Sequence, residues 1–163
     1  MSPMVFFSTL LLVFSSFTTQ FAAGDGDGVL SAYQVLQQYD FPIGILPKGV
    51  TDYEINRETG EFAAYLNGTC SFSLEGSYQL KYQSTITGVI SKDRLTNLQG
   101  VSVKVLFFWL NIVEVIRNGD QMEFSVGILS ASFTIDNFWE SPQCGCGLVC
   151  NSVGSSTSSL MSY

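Results

Sequence analysis

The chain has no histidine at all. Its absence removes Ser-His-Asp and Cys-His catalysis, together with the commonest neutral-pH acid/base group and transition-metal ligand. Basic residues are scarce as well: seven Lys and Arg stand against fourteen Asp and Glu, for a formal charge of −7. Phosphate binding needs clustered Lys and Arg, so nucleic acid is not an expected partner, and an anionic membrane surface is disfavoured on the same ground. There is no Gly-x-Ser-x-Gly elbow and no glycine-rich phosphate loop. Past the N-terminus no apolar run approaches the roughly 20 residues that cross a bilayer, so no transmembrane anchor is expected after processing. What is left is an acidic chain whose reactive groups are carboxylates, hydroxyls and four cysteines, and nothing in it calls for a cofactor.

Met1 to Gly24 carry no charged side chain, and an apolar core from Met4 to Phe17 is interrupted by Ser8, Thr9, Ser15 and Ser16. Ala22 and Gly24 are small where signal peptidase needs small residues, so cleavage is expected just before Asp25. The reading is therefore a signal peptide at residues 1–24 and a secreted protein. The mature chain of about 140 residues suits one domain and can bury about two-thirds of its unfolded surface.

In an oxidising compartment Cys70, Cys144, Cys146 and Cys150 are expected as two disulfides, for which three connectivities exist. A Cys144–Cys146 bridge would close a tight ring. That favours Cys70 joined to Cys144 or Cys146, with the other partnering Cys150. Zinc is the alternative, but Cys-x-Cys-x3-Cys lacks the paired Cys-x2-Cys spacing, and no metal is expected.

After an Asp25-Gly26-Asp27-Gly28 leader, Val29, Ala32, Tyr33, Leu36 and Tyr39 recur at helical spacing, with Ser31 and Gln34 placed for a capping box. Pro42 and Pro47 bracket an apolar segment that reads as extended. The rest reads as β-structure. Arg57 to Gly60 is a turn, and Asn67-Gly68 is a hairpin signal between Phe62–Leu66 and Thr69–Leu74. Strands are expected at Tyr78–Tyr82 and Thr85–Ile90, and Ser91–Gly100 is polar enough for a loop. Val101–Val113 is so apolar that a strand there is expected to be covered on both faces, either in the core or as a lining for an apolar ligand around Phe107, Phe108 and Trp109. Asn118-Gly119 marks a second hairpin, and Leu129–Ile135 one more strand. Residues 152–163, serine-rich and uncharged, read as a disordered tail.

Counting outward from Asn118-Gly119 as the two loop residues pairs Val115 with Met122 and Val113 with Phe124 on one face. On the other face the same count opposes Glu114 to Glu123. Directly opposed carboxylates repel unless Arg117, Lys104 or a calcium ion intervenes, or unless one holds a raised pKa. Retaining glycosidases use carboxyls at about this spacing, so Glu114 and Glu123 are the catalytic candidates of a hydrolase reading, against the plainer one of two solvated hairpin side chains. Asp25 and Asp27 lack the downstream bidentate Glu of a calcium loop. Asn67-Gly68-Thr69 is the single glycosylation sequon, and Asn67 the expected acceptor.

Phe41-Pro42-Ile43-Gly44-Ile45-Leu46-Pro47, Thr59-Gly60-Glu61-Phe62, Phe124-Ser125-Val126-Gly127, Ser132-Phe133 and Cys144-Gly145-Cys146-Gly147, in this order, resemble the plant Domain of Unknown Function 538 family. The match spans most of residues 29–151, with Asp40 standing where the family often has glycine. The resemblance implies a small exported antiparallel β-barrel with one N-terminal amphipathic helix. It carries over no catalytic residue, and it implies lipid or other apolar-ligand binding only through likeness of fold. The reading as a whole is a mainly β, disulfide-braced, monomeric secreted protein that binds an apolar or amphipathic small molecule. The alternatives are a carboxylate hydrolase of wall carbohydrate or small esters, and an interaction domain offering a sheet edge.

Overall fold

Ser31 starts the α-helix because it satisfies the free N-terminal donors reciprocally with Gln34. Its hydroxyl accepts from the Gln34 N–H at 3.3 Å, while the Gln34 Oε1 accepts the Ser31 N–H at 2.8 Å. The helix α1 spans Ala32–Gln38 and buries Ala32, Val35 and Leu36. It stops in a Schellman turn, in which the Asp40 N–H donates to the Gln37 carbonyl and the Phe41 N–H to that of Leu36. Asp40 takes the left-handed position that closes such a turn, with φ of 63°. This is the conformation glycine adopts without penalty. In the computed structural model residues 30–74 and 78–150 are described. The expected signal peptide, the leader and the serine-rich tail lie outside the described residues.

Among the described residues nine antiparallel strands follow: β1 (Val50–Ile55), β2 (Glu61–Leu66), β3 (Cys70–Ser73), β4 (Gln79–Ser91), β5 (Arg94–Val105), β6 (Phe108–Asn111), β7 (Glu114–Asn118), β8 (Gln121–Ser125) and β9 (Ser130–Thr134). They form one sheet in the order β1-β2-β4-β5-β7-β8-β9, with β3 beside β4 and β6 beside β5. The sheet curls without closing, since β1 and β9 end the path and do not pair. The gap between them is bridged by the C-terminal segment, where the Lys48 N–H donates to the Pro142 carbonyl at 2.8 Å and the Ser141 hydroxyl to that of Ile43 at 3.0 Å.

Three expectations are corrected. Asn67-Gly68 does not turn a hairpin: β2 and β3 both run along β4, Tyr65 opposite Thr85 and Cys70 opposite Tyr82, so residues 67–69 form a jog in one edge. Ser91–Gly100 is strand rather than loop, because Lys92-Asp93 alone make the turn, with Asp93 at φ 61°. The apolar run Val101–Val113 is not one covered strand. It folds back at Leu106-Phe107, with Val105 opposite Phe108. In addition, Pro42 to Pro47 contain a short 3-10 turn at Ile43–Ile45 instead of extended chain.

The pairing registers define two ends. The turns after β4 and β7 lie at one, together with the C-terminus of α1: the Asp93 N–H donates to the Tyr39 carbonyl at 3.0 Å, Arg117 Nη1 donates to the Asp40 carbonyl, and Lys92 pairs with Asp40 at 3.2 Å. The paired residues Ser73 and Gln79 and the Leu106-Phe107 turn lie at the opposite end, and the β8–β9 turn lies at the end of its hairpin away from the β7–β8 turn.

Candidate functional site

Alternation along the strands sends one set of side chains inward. Leu80 and Tyr82 of β4, Val101 and Val103 of β5, Phe124 of β8 and Phe133 of β9 all face a common interior. They line a partly open, mostly apolar cavity of about 810 Å³. Its helical end is packed by Leu36, Ile45 and Ile86, while its far end reaches Val105, Leu129, Leu148 and Val149. Phe124 and Phe133 meet edge to face with centroids 6.0 Å apart, and Tyr78 approaches Phe133 in the same way at 5.6 Å.

Phe107, Phe108 and Trp109 do not line this space. They sit at and beside the β5–β6 turn, 87, 69 and 47 % exposed. Nothing in the composition of Val101–Val113 marks a turn, and so the apolar run concealed one.

The hairpin between β7 and β8 exists, but its loop is Gly119-Asp120. Asn118 opposes Gln121, Val115 opposes Phe124 and Arg117 opposes Met122. Both placements keep Val115, Met122 and Phe124 on the inner face. The carboxylates, however, move apart: Glu114 opposes Ser125 and Glu123 opposes Ile116, leaving them diagonal neighbours at roughly 7–8 Å by strand geometry. Glu114 is paired with Arg94 at 2.5 Å, a partner on β5 that the hairpin count could not reveal. A shallow second depression of about 520 Å³ touches Glu114, Thr96 and Gln99 but not Glu123. Among the described residues no group of His, Cys, Asp or Glu could hold a metal ion.

The family model for proteins of unknown function DUF538 matches residues 32–139. The chain belongs to the DUF538 family. An uncharacterized protein of Arabidopsis thaliana is 30% identical over 95 residues, covering 58% of this chain and 55% of that one. The chain thus spans about half the length of this curated relative.

The DUF538 segment around Gly44 packs against the chain at Phe138 and Glu140, and Gly60, at φ 77°, closes the β1–β2 turn. Cys144-Gly145-Cys146-Gly147 runs beside β3. Cys70 is bonded to Cys144 and Cys146 to Cys150, one of the two connectivities favoured from spacing. The Gly145 N–H donates to the Ser71 carbonyl at 2.7 Å, so the segment covers an otherwise open strand edge. Asn67 is exposed in the jog between β2 and β3.

Among the described residues Tyr82 is the one buried tyrosine. It stacks on Phe72 with centroids 5.8 Å apart, and its hydroxyl donates to the Ile45 carbonyl at 2.9 Å. Burial pushes its pKa well above the ordinary tyrosine value, because the phenolate would lose its water. An unfolded tyrosine ionises near pH 10, so above about that pH the unfolded state sheds a proton that the folded state keeps. This contribution is fully present below pH 10 and is lost as the pH rises beyond it. Tyr82→Phe is expected to flatten the alkaline decline measured by urea unfolding at pH 8 and pH 11. At pH 8 the variant should lose about 1 kcal/mol through the unpaired Ile45 carbonyl. An unchanged alkaline slope would refute the assignment.

Proposed function

We propose that this DUF538 protein binds an apolar or amphipathic, lipid-like molecule in the interior of its curled sheet and performs no chemistry on it. The observation that carries this reading is the cavity of about 810 Å³ with a mostly apolar lining. Ligand pockets span about 300–1,000 Å³, and a close-packed core keeps few voids larger than a water molecule. Phe107, Phe108 and Trp109, expected to line it, stand outside the cavity at its far end, so their part in ligand binding is one of entry rather than enclosure. The alternative of a carboxylate hydrolase gains no support from Glu114 and Glu123, which neither of the two described cavities brings together. We also read the protein as exported and glycosylated at Asn67. Two disulfides, and the lack among the described residues of a helix long and apolar enough to cross a membrane, are compatible with export.

Val103 faces the cavity from near the end of β5, opposite Leu80 and Leu110, and a larger side chain there would occupy it. Protein purified from plant cells is expected to retain a lipid-sized adduct in native mass spectra and to take up a fluorescent fatty acid. Val103→Trp should weaken uptake by about tenfold or more, a loss of roughly 1.4 kcal/mol. The same spectra are expected to show Asp25 as the N-terminus and a glycan on Asn67. Wild-type protein that is empty and takes up no probe would reject the ligand reading.

A further inference from the structure

We propose that the end of the sheet opposite the helix docks on a zwitterionic phospholipid surface, with Leu106 and Phe107 of the β5–β6 turn entering the acyl region. This goes beyond the cavity reading and stands on a different observation, the chemistry of the turn. A two-residue hairpin loop calls for glycine or asparagine at its first position where that residue adopts positive φ. Here the loop is Leu-Phe, and Leu106 is held at φ 56°, a left-handed conformation that is costly for a leucine. Both side chains then project into solvent, Leu106 at 82 % and Phe107 at 87 % exposure. The turn therefore breaks two local rules at once, backbone and burial, with no return in folding stability. Such conflicts concentrate where function sets the residue.

A second turn repeats the pattern. Ile128, 88 % exposed, and Leu129 tip the β8–β9 connection, and Leu129 lines the same cavity as Val105, so the exposed apolar residues are continuous with the interior. Exposed apolar surface of this kind marks an interaction site.

Charge selects the partner. On the outer face Lys104 stands opposite both Gln79 and Trp109, and Lys81 opposite Ser102. They lie roughly 3 and 10 Å along the strands from Val105, the last residue before the turn. Neither has an acidic partner among the described residues. Glu58, Glu61, Asp93 and Asp120 fall by register at the other end. An apolar tip, a tryptophan beside it and lysines behind it match the layering of acyl chain, interface and phosphate. The overall charge of −7 would oppose an anionic bilayer, which is why the surface inferred is zwitterionic.

The test uses flotation with phosphatidylcholine vesicles and protein purified from plant cells, comparing wild type with Leu106→Gly/Phe107→Ser. Glycine is the favoured residue where the first loop position alone has positive φ, so the variant should fold at least as stably as wild type. Both forms carry the same N-terminus, and the comparison reads the turn alone. Wild type is expected to float with the vesicles, and the variant to partition about tenfold less. A blue shift of tryptophan emission with vesicles is expected in Trp139→Phe, which leaves Trp109 as the reporter. Equal flotation of the two forms, or none by wild type, would overturn the proposal. So would wild type that dimerises without vesicles while the double variant stays monomeric, since the tip would then serve self-association. Fatty-acid uptake reads the cavity separately, so failure of docking and failure of ligand binding are distinguishable.

Discussion

Replacing Cys70 and Cys144 together by serine is expected to lower the unfolding free energy by about 4 kcal/mol. The bridge joins positions 74 apart in sequence, and a loop of that length removes much of the freedom of the unfolded chain. Domains are stable by only about 5–15 kcal/mol, so the loss is a large share of the whole. Release of Cys144 also frees the segment whose Gly145 N–H bonds to Ser71, and thereby uncovers the edge of β3. Removing Cys146–Cys150, whose residues are 4 apart, is expected to cost only about 2 kcal/mol by the same loop model. Urea unfolding of the two paired-serine variants checks both values. Equal losses would show that loop length is not what makes the long bridge matter.

The parts of this fold that were legible in the sequence are those determined within a few residues. Ser31 and Gln34 announce the start of α1 because a capping box is a local exchange of hydrogen bonds. The β1–β2 turn at Arg57–Gly60 and the strand Ser130–Thr134 were readable for the same reason. Register was not, because both Asn118-Gly119 and Gly119-Asp120 supply turn chemistry, and the choice between them depends on pairing beyond the hairpin. That choice separates Glu114 from Glu123 and brings Arg94 to Glu114. Asn67-Gly68 misled because a jog along a long partner strand asks for the same permissive backbone as a hairpin, here at Gly68 with φ 100°. Only the 13-residue length of β4 shows that β2 and β3 share one neighbour. The candidate site was half legible. Apolar residues in excess of a plain sheet signalled an interior surface, but hydrophobicity alone does not tell a lining from an exposed tip, and Leu106-Phe107 offers no turn residue to mark the break.

Gly44→Ala is expected to destabilise the protein by about 3 kcal/mol, the upper end for an added methyl in a packed site, and to lower the melting temperature by roughly 10 °C. The reason is contact rather than backbone freedom. A Cβ on Gly44 would lie 2.3 Å from the Phe138 carbonyl oxygen and 2.7 Å from that of Glu140, and backbone atoms have no rotamer through which to move aside. The segment after Pro42 must therefore pass close against the C-terminal chain, and only hydrogen fits between them. Gly119→Ala supplies the contrast, since Gly119 has φ of 60° with nothing within 4 Å of an added Cβ. There the change meets only left-handed strain, about 1 kcal/mol. Thermal unfolding of the two variants side by side separates the mechanisms. If Gly119→Ala proved the more damaging, close approach at Gly44 would be the wrong account of why the Pro-Ile-Gly-Ile-Leu-Pro segment holds the helical end shut. Because that end lies opposite the apolar rim, the Gly44→Ala protein is also expected to admit water into the interior from the wrong side. Fatty-acid uptake should therefore fall along with stability, whereas in Gly119→Ala it should not.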